Sequence, residues 1–163
     1  MNIIKASPAD LVEVLYLLKI CIQEMNSKGW FHWDLQYLEV KEDVEKGRVF
    51  LYKETENTLG AITLCNEIPS EYKDITWTGT ADRALVASRL MVHPVWRNQG
   101  IAKELFAFAE EYAKKEGRSS LRLDVYSENP EAVSLFNQLS FKQLGKIQHP
   151  YQKSPYFCFE KTI

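Results

Sequence analysis

Arg97, Gly100 and Ala102 lie in the run Leu90-Met91-Val92-His93-Pro94-Val95-Trp96-Arg97-Asn98-Gln99-Gly100-Ile101-Ala102, and their spacing suits the capture of an anion. An apolar stretch ends at a proline, a short polar turn follows, and a helical pattern starts behind Gly100. Strand, turn and helix N-terminus in that order bring unpaired backbone N–H groups to one point. Gly100 and Ala102 keep side chains out of the way, so a phosphate can approach the backbone closely. The same residues also suit an ordinary strand-to-helix turn in which glycine relieves crowding. Other phosphate loops fit worse, since there is no Gly-Lys-Ser/Thr and no Gly-x-Gly-x-x-Gly.

A second run, Leu123-Asp124-Val125-Tyr126-Ser127-Glu128-Asn129-Pro130-Glu131-Ala132-Val133-Ser134-Leu135-Phe136-Asn137-Gln138-Leu139-Ser140-Phe141, carries a strand into another helix. The spacing Arg97-x-x-Gly100-x-Ala102 resembles the Arg/Gln-x-x-Gly-x-Gly/Ala loop of the GNAT superfamily of N-acetyltransferases. Asn129, Ala132, Leu135 and Phe141 match that superfamily's second signature, Asn-x-x-Ala-x-x-Leu-Tyr-x-x-x-Gly-Phe. The two motifs stand in the family's order, separated by one helix and one strand. The resemblance spans roughly residues 3–161. Trp33, Arg89–Pro94, Arg122–Asp124 and Cys158–Lys161 are also similar to a group of uncharacterised bacterial members. Two positions depart from the family pattern. Ser140 stands for the usual glycine, and Phe136 stands where many members carry a tyrosine that protonates the departing thiolate.

The resemblance implies an α/β fold with a mixed, largely antiparallel sheet and helices on both faces, splayed at the acetyl-CoA site. It implies acetyl-CoA as cofactor, its pyrophosphate on the turn Arg97, Asn98, Gln99, Gly100, Ile101, Ala102 and Lys103, with Arg97 adding charge. The edge of Leu90, Met91 and Val92 then takes the pantetheine as an added strand, and one N–H of Met91 or Val92 faces the thioester oxygen. Asn129 either contacts the pantetheine or caps its own helix, and Ala132 and Phe136 lie along the same arm. With Phe136 lacking a hydroxyl, Tyr126 is the candidate general acid, or else it packs against the pocket wall. The implied reaction is N-acetylation of a primary amine of a small molecule or peptide by direct attack. The rival is a CoA-binding domain that has lost catalysis and acts as a sensor or assembly part.

The elements that must position these groups follow from periodicity. Residues 3–6 read as a strand, and Ser7-Pro8-Ala9-Asp10 opens a helix with a hydroxyl, a proline and a carboxylate at the right places. Leu11, Val14, Leu15, Leu18, Ile22 and Met25 mark its buried face. Trp30, His32 and Trp33 form either a hydrophobic plug or a wall of the acceptor pocket. Leu35, Leu38 and Val44 suggest a second helix ending near Gly47. Residues 48–53 and 59–66 predict a hairpin, and 69–82 a polar surface loop. Residues 84–92 feed the glycine turn, Ile101, Leu105, Phe108 and Tyr112 stripe the next helix, and Gly117 closes it. Leu121, Leu123 and Val125 alternate with Arg122, Asp124 and Tyr126. Residues 141–147 and 156–161 are closing strands. Arg89, Arg122 and Asp124 are expected to form a charged patch under the acceptor, or a structural ion pair. No residue stands out as the base; Glu24 and His32 are undistinguished.

A chain of 163 residues, 45% apolar and 26% charged, suits one globular domain over 1–163. A net charge of −2 argues against nucleic acid or anionic membrane as partner. Cys21, Cys65 and Cys158, like His32, His93 and His149, are too scattered for a metal site or disulfide framework. No run spans a bilayer and the start is no secretory signal, so the cytoplasm is expected. A homodimer stays open.

Overall fold

Ser7 N–H donates to Asp10 Oδ2 at 2.8 Å while Asp10 N–H donates to Ser7 O at 2.9 Å, a reciprocal pair that starts the first helix. Behind this short 3₁₀ turn, α1 (Leu11–Ser27) buries Val14, Leu17, Leu18, Cys21, Ile22 and Met25. The stripe is shifted from the expected one: Leu11 and Leu15 are only partly buried, and Leu17 and Cys21 take their place. The computed structural model describes residues 2–31, 33 and 36–163, so His32 and Leu35 lie outside the described residues.

Two compact units emerge, residues 1–64 with 89–108 and residues 65–88 with 109–163. In the first, β1 (Asn2–Lys5) pairs antiparallel with β2 (Val49–Glu54), and β2 with β3 (Asn57–Cys65). The expected hairpin is present, turning at Thr55 with φ 53°. Helix α2 (Tyr37–Glu45) buries Val40, Asp43 and Val44, whereas Leu38, expected inside, is 78% exposed. The core of this unit joins α1 and α2 to Val49, Leu51, Ala61 and Met91. β4 (Ala84–Val92) and α3 (Ile101–Lys115) each contribute one half to either unit. At Gly60, an added Cβ would sit 2.9 Å from Ile101 Cγ2 and 3.0 Å from the Met91 carbonyl oxygen. Only glycine lets β3 pass beneath the start of α3.

In the second unit, β5 (Ser120–Tyr126) pairs antiparallel with β7 (Tyr156–Thr162) along its whole length, and β7 pairs with β6 (Lys142–Ile147). β4 joins β5 in parallel over Ala84–Val86 against Ser120–Arg122. Helix α4 (Pro130–Gln138) buries Phe136 against Phe141 and Phe159. The strand order is β1-β2-β3-β4-β5-β7-β6. This is the expected mixed, largely antiparallel sheet with helices packed around it.

Two helix ends follow one rule. Gly117 has φ 68°, and Arg118 N–H donates to Ala113 O while Gly117 N–H donates to Lys114 O. Ser140 adopts the same left-handed turn with φ 66°, and Phe141 N–H donates to Phe136 O. The serine therefore occupies a conformation that glycine adopts at lower cost.

The segment expected to be a polar surface loop is a correction. Tyr72 there is 1% exposed, and Trp77 stacks against it with ring centroids 5.0 Å apart. Its polar residues hide this because the burial comes from contacts distant in sequence. Arg122 is 2% exposed, its charge met by Glu160 rather than by water.

Candidate functional site

The glycine turn lies wholly in the first unit. Asn98 (φ 60°) and Gly100 (φ 86°) both take left-handed backbone, which swings the chain from the end of β4 into α3. Glu104 N–H donates to Gly100 O, the first bond of the helix ladder. Among the described residues, nothing accepts from the backbone N–H groups of Gln99, Gly100, Ile101, Ala102 or Lys103. A Cβ built on Gly100 meets nothing within 4 Å. Open donors, open space and the positive end of a helix dipole are what a phosphate requires.

Arg97 is engaged with its own unit. Its guanidinium pairs with Glu24 of α1, and its Nε donates to the Val92 carbonyl at 3.3 Å. Two of its five donors are thereby engaged and its charge is offset. Arg97 thereby ties the turn to α1. Cys21 Sγ also donates to Val92 O, at 3.7 Å, and burial pushes this thiol up to about 11, so it keeps its proton.

The strand edge beside the turn can be assigned by alternation. His93 N–H donates to Leu59 O of β3 at 2.8 Å. Backbone groups two residues apart point the same way, so the Met91 N–H faces β3 and the N–H groups of Leu90 and Val92 face away from it. Of Met91 and Val92, Val92 is therefore the one whose N–H faces away from β3. One step earlier Arg89 has φ 44°, an uncommon conformation inside a strand. Its side chain is held by Gln36 Oε1 at 2.7 Å and Asp43 Oδ2 at 2.6 Å. Arg89 is thus committed to α2 and the segment before it. Trp30 and Trp33 pack against the core of this unit, and Lys28 lies over the Trp30 ring at 5.1 Å.

The second unit holds the remaining predicted residues. Asn129 Oδ1 accepts from Ala132 N–H at 3.2 Å, so the side chain does cap α4. Tyr126 is 5% exposed, its hydroxyl donates to Glu128 Oε2 at 3.1 Å, and its ring lies 5.3 Å from that of Tyr156. Burial first, with Glu128 adding to it, raises the phenol above its ordinary value despite a hydrogen bond with Ser154. It is a protonated donor at neutral pH.

Arg122 and Asp124 are not partners. Arg122 Nε donates to Glu160 Oε2 at 3.1 Å, another donor reaches Gly79 O at 2.6 Å, and the guanidinium lies 4.6 Å from the Trp77 ring. Glu160 in turn accepts from Thr78 N–H at 2.7 Å. This corrects the expected patch: Arg122 is the structural pair. Asp124 instead accepts from the Tyr72 hydroxyl at 2.6 Å and pairs with His149 Nε2 at 3.1 Å. His149 and Tyr72 escaped the sequence reading because neither sits in a motif or near Asp124 along the chain. Among the described residues, no cluster of three or more His, Cys, Asp or Glu is placed to hold a metal. No helix among them is long and apolar enough to cross a membrane.

A family model described as Acetyltransferase (GNAT) family matches residues 16–141. The chain belongs to the GNAT acetyltransferase family. Over 72 residues it is 35% identical to an uncharacterised N-acetyltransferase of Methanocaldococcus jannaschii, covering 43% of this chain and 32% of that protein. The chain thus spans about a third of the length of the curated relative it matches. Among solved structures, a GNAT-family acetyltransferase of Streptococcus agalactiae superposes with a TM-score of 0.86 at 17% identity, covering 99% of this chain and 95% of the other. The PaiA N-acetyltransferase of Thermoplasma acidophilum, solved in complex with coenzyme A, gives 0.72 at 18% identity, over 99% and 98%. At such identities the likeness is one of fold.

Within a GNAT chain, Phe136 remains the departure of most chemical weight. Its ring is 5% exposed and packs among Phe141 and Phe159, with centroids 5.7 and 5.8 Å away. It presents no hydroxyl, and its surroundings are those of a core residue.

Proposed function

We propose that this GNAT protein transfers the acetyl group of acetyl-CoA to a primary amine of a small molecule or peptide. The observation that carries the reading is the Gly100 turn, where among the described residues nothing accepts from five consecutive N–H groups and space is open before the start of α3. Gln99 through Lys103 would hold the pyrophosphate, and the outward N–H groups of Leu90 and Val92 would take the pantetheine arm and the thioester oxygen. The bound cofactor supplies an activated acyl carbon and a thiolate leaving group. Tyr126, protonated and half of an aromatic pair, would give that thiolate its proton. Arg97 holds the turn in place through Glu24.

One observation favours the second reading, a CoA-binding sensor with weakened catalysis: Phe136, in the family's tyrosine position, is buried and has no proton to give. Thiol release from acetyl-CoA, followed across a panel of amino acids, polyamines and lysine peptides, separates the two. An enzyme turns over with at least one amine class; a sensor binds CoA and turns over none.

A further inference from the structure

We propose that His149, oriented by Asp124 and Tyr72, is the base that takes the proton of the acceptor ammonium. The proposal rests on the acetyl-transfer reading above and names a residue for a step which that reading leaves without one.

Three side chains from three separate segments converge in the second unit. Tyr72 comes from the 3₁₀ turn Ser70–Asp74, Asp124 from β5, and His149 from the connection between β6 and β7. Tyr72 is 1% exposed, and its hydroxyl donates to Asp124 Oδ1 at 2.6 Å. Burial, together with the neighbouring carboxylate, holds this phenol well above its ordinary value, so it acts as a donor only. That bond fixes the plane of the Asp124 carboxylate. The other oxygen, Oδ2, lies 3.1 Å from His149 Nε2. A carboxylate accepts and does not donate, so Nε2 carries the hydrogen and Nδ1 is left with a lone pair. Among the described residues, nothing hydrogen-bonds Nδ1. The Tyr156 ring meets the imidazole edge-on at 4.4 Å and holds its orientation from β7. The His149 side chain keeps 28% of its surface exposed, so a solute can reach it.

The position along β5 fits an acceptor. Pairing with β4 is confined to Ser120–Arg122, while β7 pairs with β5 as far as Tyr126. Among the described residues, Leu123–Tyr126 pair with β7 alone, and Asp124 lies in that stretch. Tyr156 also stacks on Tyr126, so the proposed acid and base border one aromatic ring.

The charges facing the imidazole all favour its role. Asp124 from β5 comes first, and Glu71 from the 3₁₀ turn adds a smaller pull; together they raise His149 above its ordinary value against the effect of burial. Tyr156 and Cys158 on β7 are both protonated at neutral pH, the thiol pushed up to about 12 by burial. Once neutral, His149 accepts a proton at Nδ1, and the imidazolium is stabilised by Asp124. The acceptor nitrogen sheds two protons in all. One passes to His149 Nδ1 before attack and then to solvent. As the C–N bond forms and the C–S bond breaks, the second leaves the nitrogen for Tyr126, which gives its own proton to the sulfur.

The test is a pH–rate profile of kcat/KM with an amine that the parent acetylates, for the parent, His149→Gln and His149→Ala, with CoA affinity as the check of folding. A base must be neutral, so the parent's rate rises with pH through the His149 titration. In both variants that acidic limb is expected to vanish, with a loss of about 10²–10⁴-fold. In Asp124→Asn the limb should move to lower pH, because the charge that raises His149 is gone. If the limb persists unmoved in either His149 variant, the assignment is overturned whatever the size of the loss, and acetyl transfer stands. A parent that binds CoA yet acetylates no amine overturns both readings together.

Discussion

At the scale of single residues, the open space before Gly100 gives the sharpest test of the proposed cofactor site. Gly100→Val places a branched side chain where a Cβ meets nothing within 4 Å beyond its chain neighbours, at a φ of 86° that disfavours it by about 1–2 kcal/mol. The folded variant should lose at least about tenfold in CoA affinity, roughly 1.4 kcal/mol, by calorimetric titration. Undiminished affinity would move the pyrophosphate elsewhere. Tyr126→Phe should lower kcat at least about tenfold with CoA binding intact, the scale of a lost acid; a variant as fast as the parent removes Tyr126 from the chemistry. Returning the family's hydroxyl by Phe136→Tyr should destabilise instead, by about 1–3 kcal/mol, since the ring lies among Phe141 and Phe159. The turn was legible in the sequence because its signal is local: a proline, polar turn residues and a glycine in consecutive positions. The partners of Arg97 and Asp124 were not. Glu24 lies 73 residues from Arg97, and Tyr72 lies 52 from Asp124, so neither spacing nor motif connects them.

Secondary-structure elements carry a different kind of test. Ser140 closes α4 in left-handed backbone, and Ser140→Gly should stabilise the protein by roughly 1 kcal/mol, or about 2–4 °C in Tm. No gain on thermal unfolding would mean the strain is relieved elsewhere. The Arg122–Glu160 pair joins β5 to β7 and, through Thr78 and Gly79, holds a connecting segment in place. Glu160→Ala leaves a buried guanidinium without its counter-charge and should cost about 3–5 kcal/mol in urea unfolding. A loss below 1 kcal/mol would mean that water reaches the site. Alternation along β5 was read correctly as a strand, and it left the surroundings of Arg122 open. Period two reports which residues share a side; whether that side meets water depends on what packs there, and here Trp77 and Glu160 do.

For the molecule as a whole, pH links the two ends of the stability curve to different groups. His149 is raised in the folded protein, so its pairing with Asp124 contributes fully below the unfolded value near ~6.5 and is lost as pH rises through the folded one. The Tm difference between parent and His149→Gln should therefore shrink from acid to alkaline pH, and a constant difference would deny the linkage. Asp10 works in the opposite sense. The Ser7 N–H holds its carboxyl below the ordinary value, so its contribution is present above about 3.9 and fades as pH falls through the lower folded value. The strands were legible from simple periodicity, and the mixed, largely antiparallel class of their sheet from two motifs; the order in which the strands lie side by side was not. The cluster around Asp124 depends on three segments meeting, which a pattern confined to one segment does not encode.

Gly60 also limits how this protein can vary. It belongs to no motif, yet the room above it is filled by Ile101 and Leu105, the first inward residues of the helix that begins at the glycine turn. One methyl group added on the back strand must be absorbed by lifting that helix or by bending Met91 away. If the turn holds the cofactor as proposed, drift at Gly60 is screened by cofactor affinity as well as by folding, and the hairpin and the turn exchange substitutions as a matched set.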